Sequence, residues 1–268
     1  MKVQNKVILV TGGGSGMGRE LVLNLLSKNA KVVAIDINEN GLQETVTLAG
    51  AAKDKLSTFI VDITSKAAVE AFFEKAITQF GFVDGIINNA GIIQPFVKVN
   101  DLSYDAIERV MNVNFYGTLY MTKTFLPHLL TRPEAHIMNI SSMGGFLPVP
   151  GQSIYGASKA AVKLLTEALH SELSNTNVKV TVVFPGAVNT NITKNSGLKV
   201  PAQAGTENKS MKVLSPAKAA EIMINGMEKD SYRVMVGKDA SFMDYIYRFN
   251  PSYAAKFIYK KMKAILPD

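Results

Sequence analysis

The chain contains no cysteine, which removes disulfides, thiolate metal sites and a cysteine nucleophile together and suits a reducing compartment. Its three histidines, His128, His136 and His170, are scattered without metal-ligand spacing. They read as surface or internally satisfied residues, and no metal is expected. No run is long and apolar enough for a membrane-spanning helix. The opening MKVQNKVILV has too short an apolar stretch for a signal peptide. Internal repeats and linkers are also missing. The formal charge is +7, yet the lysines are spread along the chain. No basic stripe with stacking aromatics stands outside the C-terminal tail, so nucleic acid is not an expected partner. These absences leave a soluble, cytoplasmic protein as the expectation.

What is present points to one well-buried core. Apolar residues make up 47% of 268 positions, a length comfortable for a single α/β domain. Seven β-rich runs fall at 6–11, 31–36, 56–62, 83–90, 135–141, 178–185 and 232–236. Helical stretches separate them, the longest at 103–130 and 153–175. Strands that are apolar almost throughout have both faces covered, and strand–helix alternation implies right-handed parallel crossovers. The expected fold is an α/β, doubly wound, mainly parallel seven-stranded sheet of Rossmann type with helices on both faces. It would occupy residues 1–238, with a polar lid segment at about 189–214 and a C-terminal extension at 239–268.

TGGGSGMG (11–18) directly follows the first strand and opens the first helix. Gly12, Gly16 and Gly18 permit a tight turn, close approach to a pyrophosphate and close helix–strand packing. The helix N-terminus offers free N–H groups to the phosphates. The spacing is T-G-x-x-x-G-x-G, not the G-x-G-x-x-G of many dinucleotide sites. Here the sequence begins to resemble the short-chain dehydrogenase/reductase family. The resemblance continues through Asp62–Ile63, the NNAG of 88–91 and the PGAVNT of 185–190, and covers residues 6 to about 237.

The resemblance implies a nicotinamide dinucleotide held by Gly12, Ser15, Gly16, Met17 and Gly18, with Asp62 and Ile63 on the adenine. Asn89, Ala90 and Gly91 would lie along the cofactor, and Pro185, Gly186, Val188 and Thr190 at its carboxamide end. Asp36 closes the second strand, where a carboxylate accepts from ribose hydroxyls and repels a 2′-phosphate. NAD is therefore favoured over NADP. The resemblance also implies a catalytic set of Asn114, Ser142, Tyr155 and Lys159, the last two contacting cofactor as well.

The Tyr155–Lys159 spacing has its own physical sense. Residues four apart share a helix face. A phenol with an ordinary pKa of roughly 10 is a poor base at neutral pH, and a neighbouring ammonium favours the phenolate. Tyr155 would exchange a proton with an alcohol or ketone oxygen; the family resemblance further implies that Ser142 holds that oxygen and that Asn114 positions a water behind Lys159.

Met143, Phe146, Gln152, Gln94 and Phe96 are candidates for the pocket rim, and their largely apolar character leans toward a lipophilic secondary alcohol or ketone. In the tail, Ala254, Phe257, Ile258, Met262 and Ile265 share one helical face and Lys256, Lys260 and Lys263 another. Such a helix suits peripheral contact with an anionic membrane through 253–266, a partner subunit, or a roof over the pocket. Family resemblance implies a homodimer or homotetramer. Two rival functions stay open: a non-enzymatic cofactor sensor or scaffold, and an isomerase or dehydratase built on the same fold.

Overall fold

The computed structural model describes residues 1–198 and 213–262. The middle of the expected lid and the end of the tail, with Lys263 and Ile265, lie outside the described residues. Seven strands form one sheet: β1 (Val7–Thr11), β2 (Lys31–Asp36), β3 (Leu56–Ile60), β4 (Gly85–Asn88), β5 (Ala135–Ile140), β6 (Val178–Pro185) and β7 (Arg233–Val236). Their order is β3-β2-β1-β4-β5-β6-β7, and every pairing is parallel.

The alternation of side chains along β1 shows why its run is apolar throughout. Ile8 and Val10 face one core, with Leu21, Val22 and Leu25 of α1 (Gly16–Ser27) and Met223 and Met227 of α8 (Pro216–Glu228). Val7 and Leu9 face the other, with Phe72 of α3 (Lys66–Phe80), Phe125 of α5 (Thr118–Thr131) and Leu169 of α6 (Ser153–Glu172). A strand buried on both faces has no place for a polar alternate. The chain turns from building leftward (β1 to β3) to building rightward (β4 to β7) between β1 and β4. That is the switch point where doubly wound sheets bind ligands.

α2 (Glu39–Ala49) follows β2 and starts with Asn38 capping Gly41 N. The expected helix at 103–130 is α4 (Tyr104–Met111) and α5 joined by a π-helical turn, Asn112–Gly117, which carries Asn114. Such turns often mark functional positions. Beyond β6 a short helix, α7 (Ile192–Asn195), precedes the undescribed segment. The tail forms two helices, α9 (Lys238–Phe249) and α10 (Pro251–Met262). Pro251 lacks the N–H that a continuing helix would need and begins α10 instead.

Candidate active site

The cofactor end is built from the turn after β1. Gly12 adopts φ +71°, a left-handed conformation that costs glycine little. A Cβ on Gly18 would stand 1.9 Å from Gly12 O, and one on Gly14 would stand 2.9 Å from Asp36 Oδ2. Backbone at Gly18 and the Asp36 side chain at Gly14 therefore fill the space a side chain would take. Ser15 precedes α1 in an extended conformation without capping it by its side chain, so the first-turn N–H groups remain available to an anion.

Gly12, Ser15, Gly16, Met17, Gly18 and Asp36 line one cleft. Asp62, Ile63, Asn89, Ala90, Gly91 and Thr190 line its remaining walls. Thr11 Oγ1 accepts from Asn89 N (3.0 Å) and Ala90 N (2.9 Å), tying the ends of β1 and β4 together at the floor. Asn89 Oδ1 is buried without a partner. A glycine cradle, open helix N–H groups and a spare buried acceptor fit a dinucleotide.

Asp36 accepts from Gly14 N through Oδ2 and from Asn38 N through Oδ1. The nearby cation, Arg19, is bound elsewhere through Nε and one terminal nitrogen. Its Nε donates to Thr45 Oγ1 (3.1 Å), and one terminal nitrogen donates to Gly14 O, Gly41 O and Glu44 Oε2. It braces the glycine loop against α2. Pro185, Gly186 and Val188 do not line the cleft. Val188 pairs in a parallel bridge with Leu214, and Ala187 N donates to Asp239 Oδ2 at 2.7 Å. Arg109, Val113, Asn191, Ile192 and Asn195 do line it and were not anticipated. They come from the π-turn region and α7, whose approach depends on tertiary packing. Asn195 Nδ2 donates to Ser15 Oγ across the cleft mouth (2.7 Å). A second cavity of about 520 Å³ lies between α2, β3 and α3, but it has no glycine cradle.

The four residues of the expected catalytic set do not line the cleft themselves; they meet in two pairs, one of them at its wall residue Gly91. Ser142 and Tyr155 meet around Gly144: a Cβ there would stand 3.4 Å from Tyr155 Cε1 and 3.5 Å from Ser142 Oγ. Lys159 and Asn114 meet at Gly91, where a Cβ would stand 3.1 Å from Lys159 Nζ and 3.2 Å from Asn114 Oδ1. Burial pushes the Tyr155 phenol up, and a hydrogen bond with Ser142 opposes this. Lys159 donates to Ile140 O (3.0 Å), and desolvation lowers its pKa to about 8. It still carries its proton for most of the time at neutral pH.

Asn114 is a staple as well as a site residue. Its Oδ1 accepts from Ile92 N, and its Nδ2 donates to Ile92 O and Ser158 Oγ, each at 2.9 Å. Both amide protons are thus held by protein. Gln94 and Gln152, expected at the pocket rim, are both buried. Above the site, Leu147, Met143, Phe146 and Val149 pack under Met243 and Tyr247 of α9 and Ala254, Phe257 and Ile258 of α10. The apolar face of the tail helix thus roofs the loop that follows Ser142.

A parallel sheet that binds at its switch point through a glycine turn defines a dinucleotide-binding protein of Rossmann type. The chain matches the short chain dehydrogenase family over residues 6–200, and it belongs to that family. It is 38% identical over 251 residues to SadH of Mycobacterium tuberculosis, named provisionally as an oxidoreductase, covering 91% of each chain. An uncharacterized oxidoreductase of Staphylococcus epidermidis is 31% identical over 86% of this chain and 94% of its own. Among solved structures, a short chain dehydrogenase/reductase from Burkholderia phymatum in complex with NAD superposes with a TM-score of 0.84 at 25% identity, covering 94% and 96%. A 3-ketoacyl-(acyl-carrier-protein) reductase from Brucella melitensis complexed with NADH gives 0.80 at 27% identity, covering 89% and 99%. This is an oxidoreductase family, and no helix among the described residues is long and apolar enough to cross a membrane.

Proposed function

We propose that this protein transfers a hydride between NAD and a lipophilic secondary alcohol or ketone, with Tyr155 as acid and base. The observation that carries this reading is the convergence of Ser142 and Tyr155 on Gly144, and of Lys159 and Asn114 on Gly91, beside the dinucleotide cleft. When bound, the nicotinamide ring supplies the hydride acceptor or donor. In oxidation Tyr155 Oη takes the hydroxyl proton while the carbon–hydrogen electron pair leaves as hydride; in reduction the proton returns to the oxygen. Ser142 donates to that oxygen and fixes its distance. Lys159 favours the phenolate against the burial that opposes it, and Asn114 holds the cleft wall in place.

The choice of NAD rests on Asp36 and on Arg19, which is bound to Gly14, Gly41, Thr45 and Glu44. The lipophilic substrate rests on the apolar roof formed by Phe146, Leu147, Met243 and Ile258. In this reading residues 1–238 are the catalytic domain, 189–214 the lid and 239–268 an extension whose first duty is that roof. Its use of the α10 apolar face argues against membrane contact through that face. Leu130 and Leu164, exposed on α5 and α6, support a homodimer or homotetramer, and the lack of cysteine suits the cytoplasm.

The test is a turnover panel with NAD and NADP in parallel, using steroid, long-chain, aromatic and polyol secondary alcohols and the matching ketones in reverse. NAD-linked turnover of apolar members, with release of free NADH, is expected. Turnover confined to NADP would overturn the Asp36 argument, and cofactor binding without turnover across the panel would favour a sensor.

A further inference from the structure

We propose that Gln94 is a positioning residue for Tyr155, clamping the first turn of the tyrosine's helix to the wall of the cofactor cleft. α6 starts poorly by itself. The residue before it, Gln152, has φ −129° and ψ 35° and makes no capping bond with its side chain. A helix start of that kind leaves first-turn N–H groups without partners, which is costly when they are buried. The missing acceptor comes from about sixty residues upstream. Gln94 is wholly buried, and its Oε1 accepts from Ile154 N at 2.7 Å and from Tyr155 N at 3.0 Å.

The rest of Gln94 is held just as firmly. Its Nε2 donates to Gly151 O (3.1 Å), and its own carbonyl accepts from Gln152 Nε2 (2.9 Å). Both ends of the carboxamide therefore serve backbone, and Gln94 holds the site without touching substrate. The two residues before it are fixed too. Asn114 grips Ile92 by N–H and carbonyl, and Ile93 N donates to Ser196 Oγ (2.9 Å), just beyond α7. Gly91 and Ile92 line the cofactor cleft. Three residues of chain thus join that cleft, the end of α7 and the backbone nitrogen of Tyr155.

A glutamine suits this place for an electrostatic reason. Its neutral oxygen satisfies two N–H groups and leaves uncancelled the positive end of α6, in whose first turn Tyr155 stands, a field that favours phenolate. A carboxylate could accept the same bonds but would bring a full negative charge to the tyrosine's own turn. The proposal rests on Tyr155 being the proton-transfer residue, but its test needs no turnover.

The experiment is a pH titration of the Tyr155 phenol by ultraviolet difference absorbance. Each protein is read against the same protein carrying Tyr155→Phe, without cofactor and with saturating NAD. Gln94→Glu is expected to raise the Tyr155 midpoint by about one pH unit or more, a tenfold change in ionisation. Gln94→Leu, which removes the acceptor, is expected to speed amide exchange at Ile154 and Tyr155 at least about tenfold and to shift the midpoint as well. Gln94→Met stands in where the leucine variant does not fold. Folded variants whose Tyr155 midpoint stays within about 0.2 units of the parent would overturn the proposal, even with a lowered melting temperature, because Gln94 would then be a structural cap only. A silent substrate panel would count against the oxidoreductase reading and leave this result intact.

Discussion

Lys159 is a buried cation whose only described bond is to Ile140 O, and its pH behaviour follows from that. Desolvation lowers its folded pKa to about 8, below the ordinary unfolded lysine value. The unfolded chain therefore holds this proton more tightly, and the group costs stability at every pH below about 8. That cost fades as pH rises from there toward the unfolded value. Compared with Lys159→Met in denaturant unfolding between pH 7 and pH 9.5, the parent should gain relative stability as pH rises. A pH-independent difference would mean the lysine is not held in a desolvated site. Asp36 makes the other prediction at this scale. Asp36→Ser removes the charge facing a 2′-phosphate, and the ratio of NADPH to NADH dissociation constants, read by titration of nicotinamide fluorescence, should fall at least tenfold, about 1.4 kcal/mol. An unchanged ratio would place the discrimination elsewhere.

Among the elements, α10 contributes nothing to the lining of the dinucleotide cleft and packs through Ala254 and Ile258 in one cluster with Leu147. Ile258→Glu would put a charge into that contact. The expected result is a KM for apolar substrate raised roughly tenfold or more, with the dissociation constant for NADH within about twofold of the parent. Equal loss of both would show that the tail supports the whole fold rather than the pocket. The same element shows what a sequence reveals and what it does not. The apolar stripe at 254, 257, 258 and 262 was legible because helical spacing is local, and the strands were legible because double burial forces continuous apolar runs. What covers the stripe was not legible, since three different partners demand the same pattern. Nor was the break at Pro251 or the π turn at Asn112–Gly117, where helical propensity hardly differs from that of the flanking turns. The glycine turn and Asp36 were readable because backbone space and charge restrict those positions to very few residue types. Gln94 was read as a rim residue, because its partners at 154 and 155 come near only once the sheet is assembled.

At the scale of the whole molecule, the switch point between β1 and β4 organises everything else. It opens the cleft, places NNAG along one wall and aligns β5 so that Ser142 emerges facing Tyr155 on the next helix. Buried amides reinforce this arrangement from within: Asn88 Nδ2 donates to Asn139 Oδ1 (2.8 Å), and Asn139 Nδ2 donates to Thr166 Oγ1 of α6 (3.0 Å). Such a ladder fixes strands and helix in one register, because any slip would strand buried donors. The fold thus ties α6, the helix that carries Tyr155, to β4 and β5. The most direct measurement of the central claim is single-turnover hydride transfer in Tyr155→Phe, followed by NADH absorbance with the best substrate of the panel. The account predicts NADH affinity within about twofold of the parent and hydride transfer slower by roughly 10²–10⁴-fold. Transfer at the parent rate would contradict it and remove Tyr155 from the chemistry.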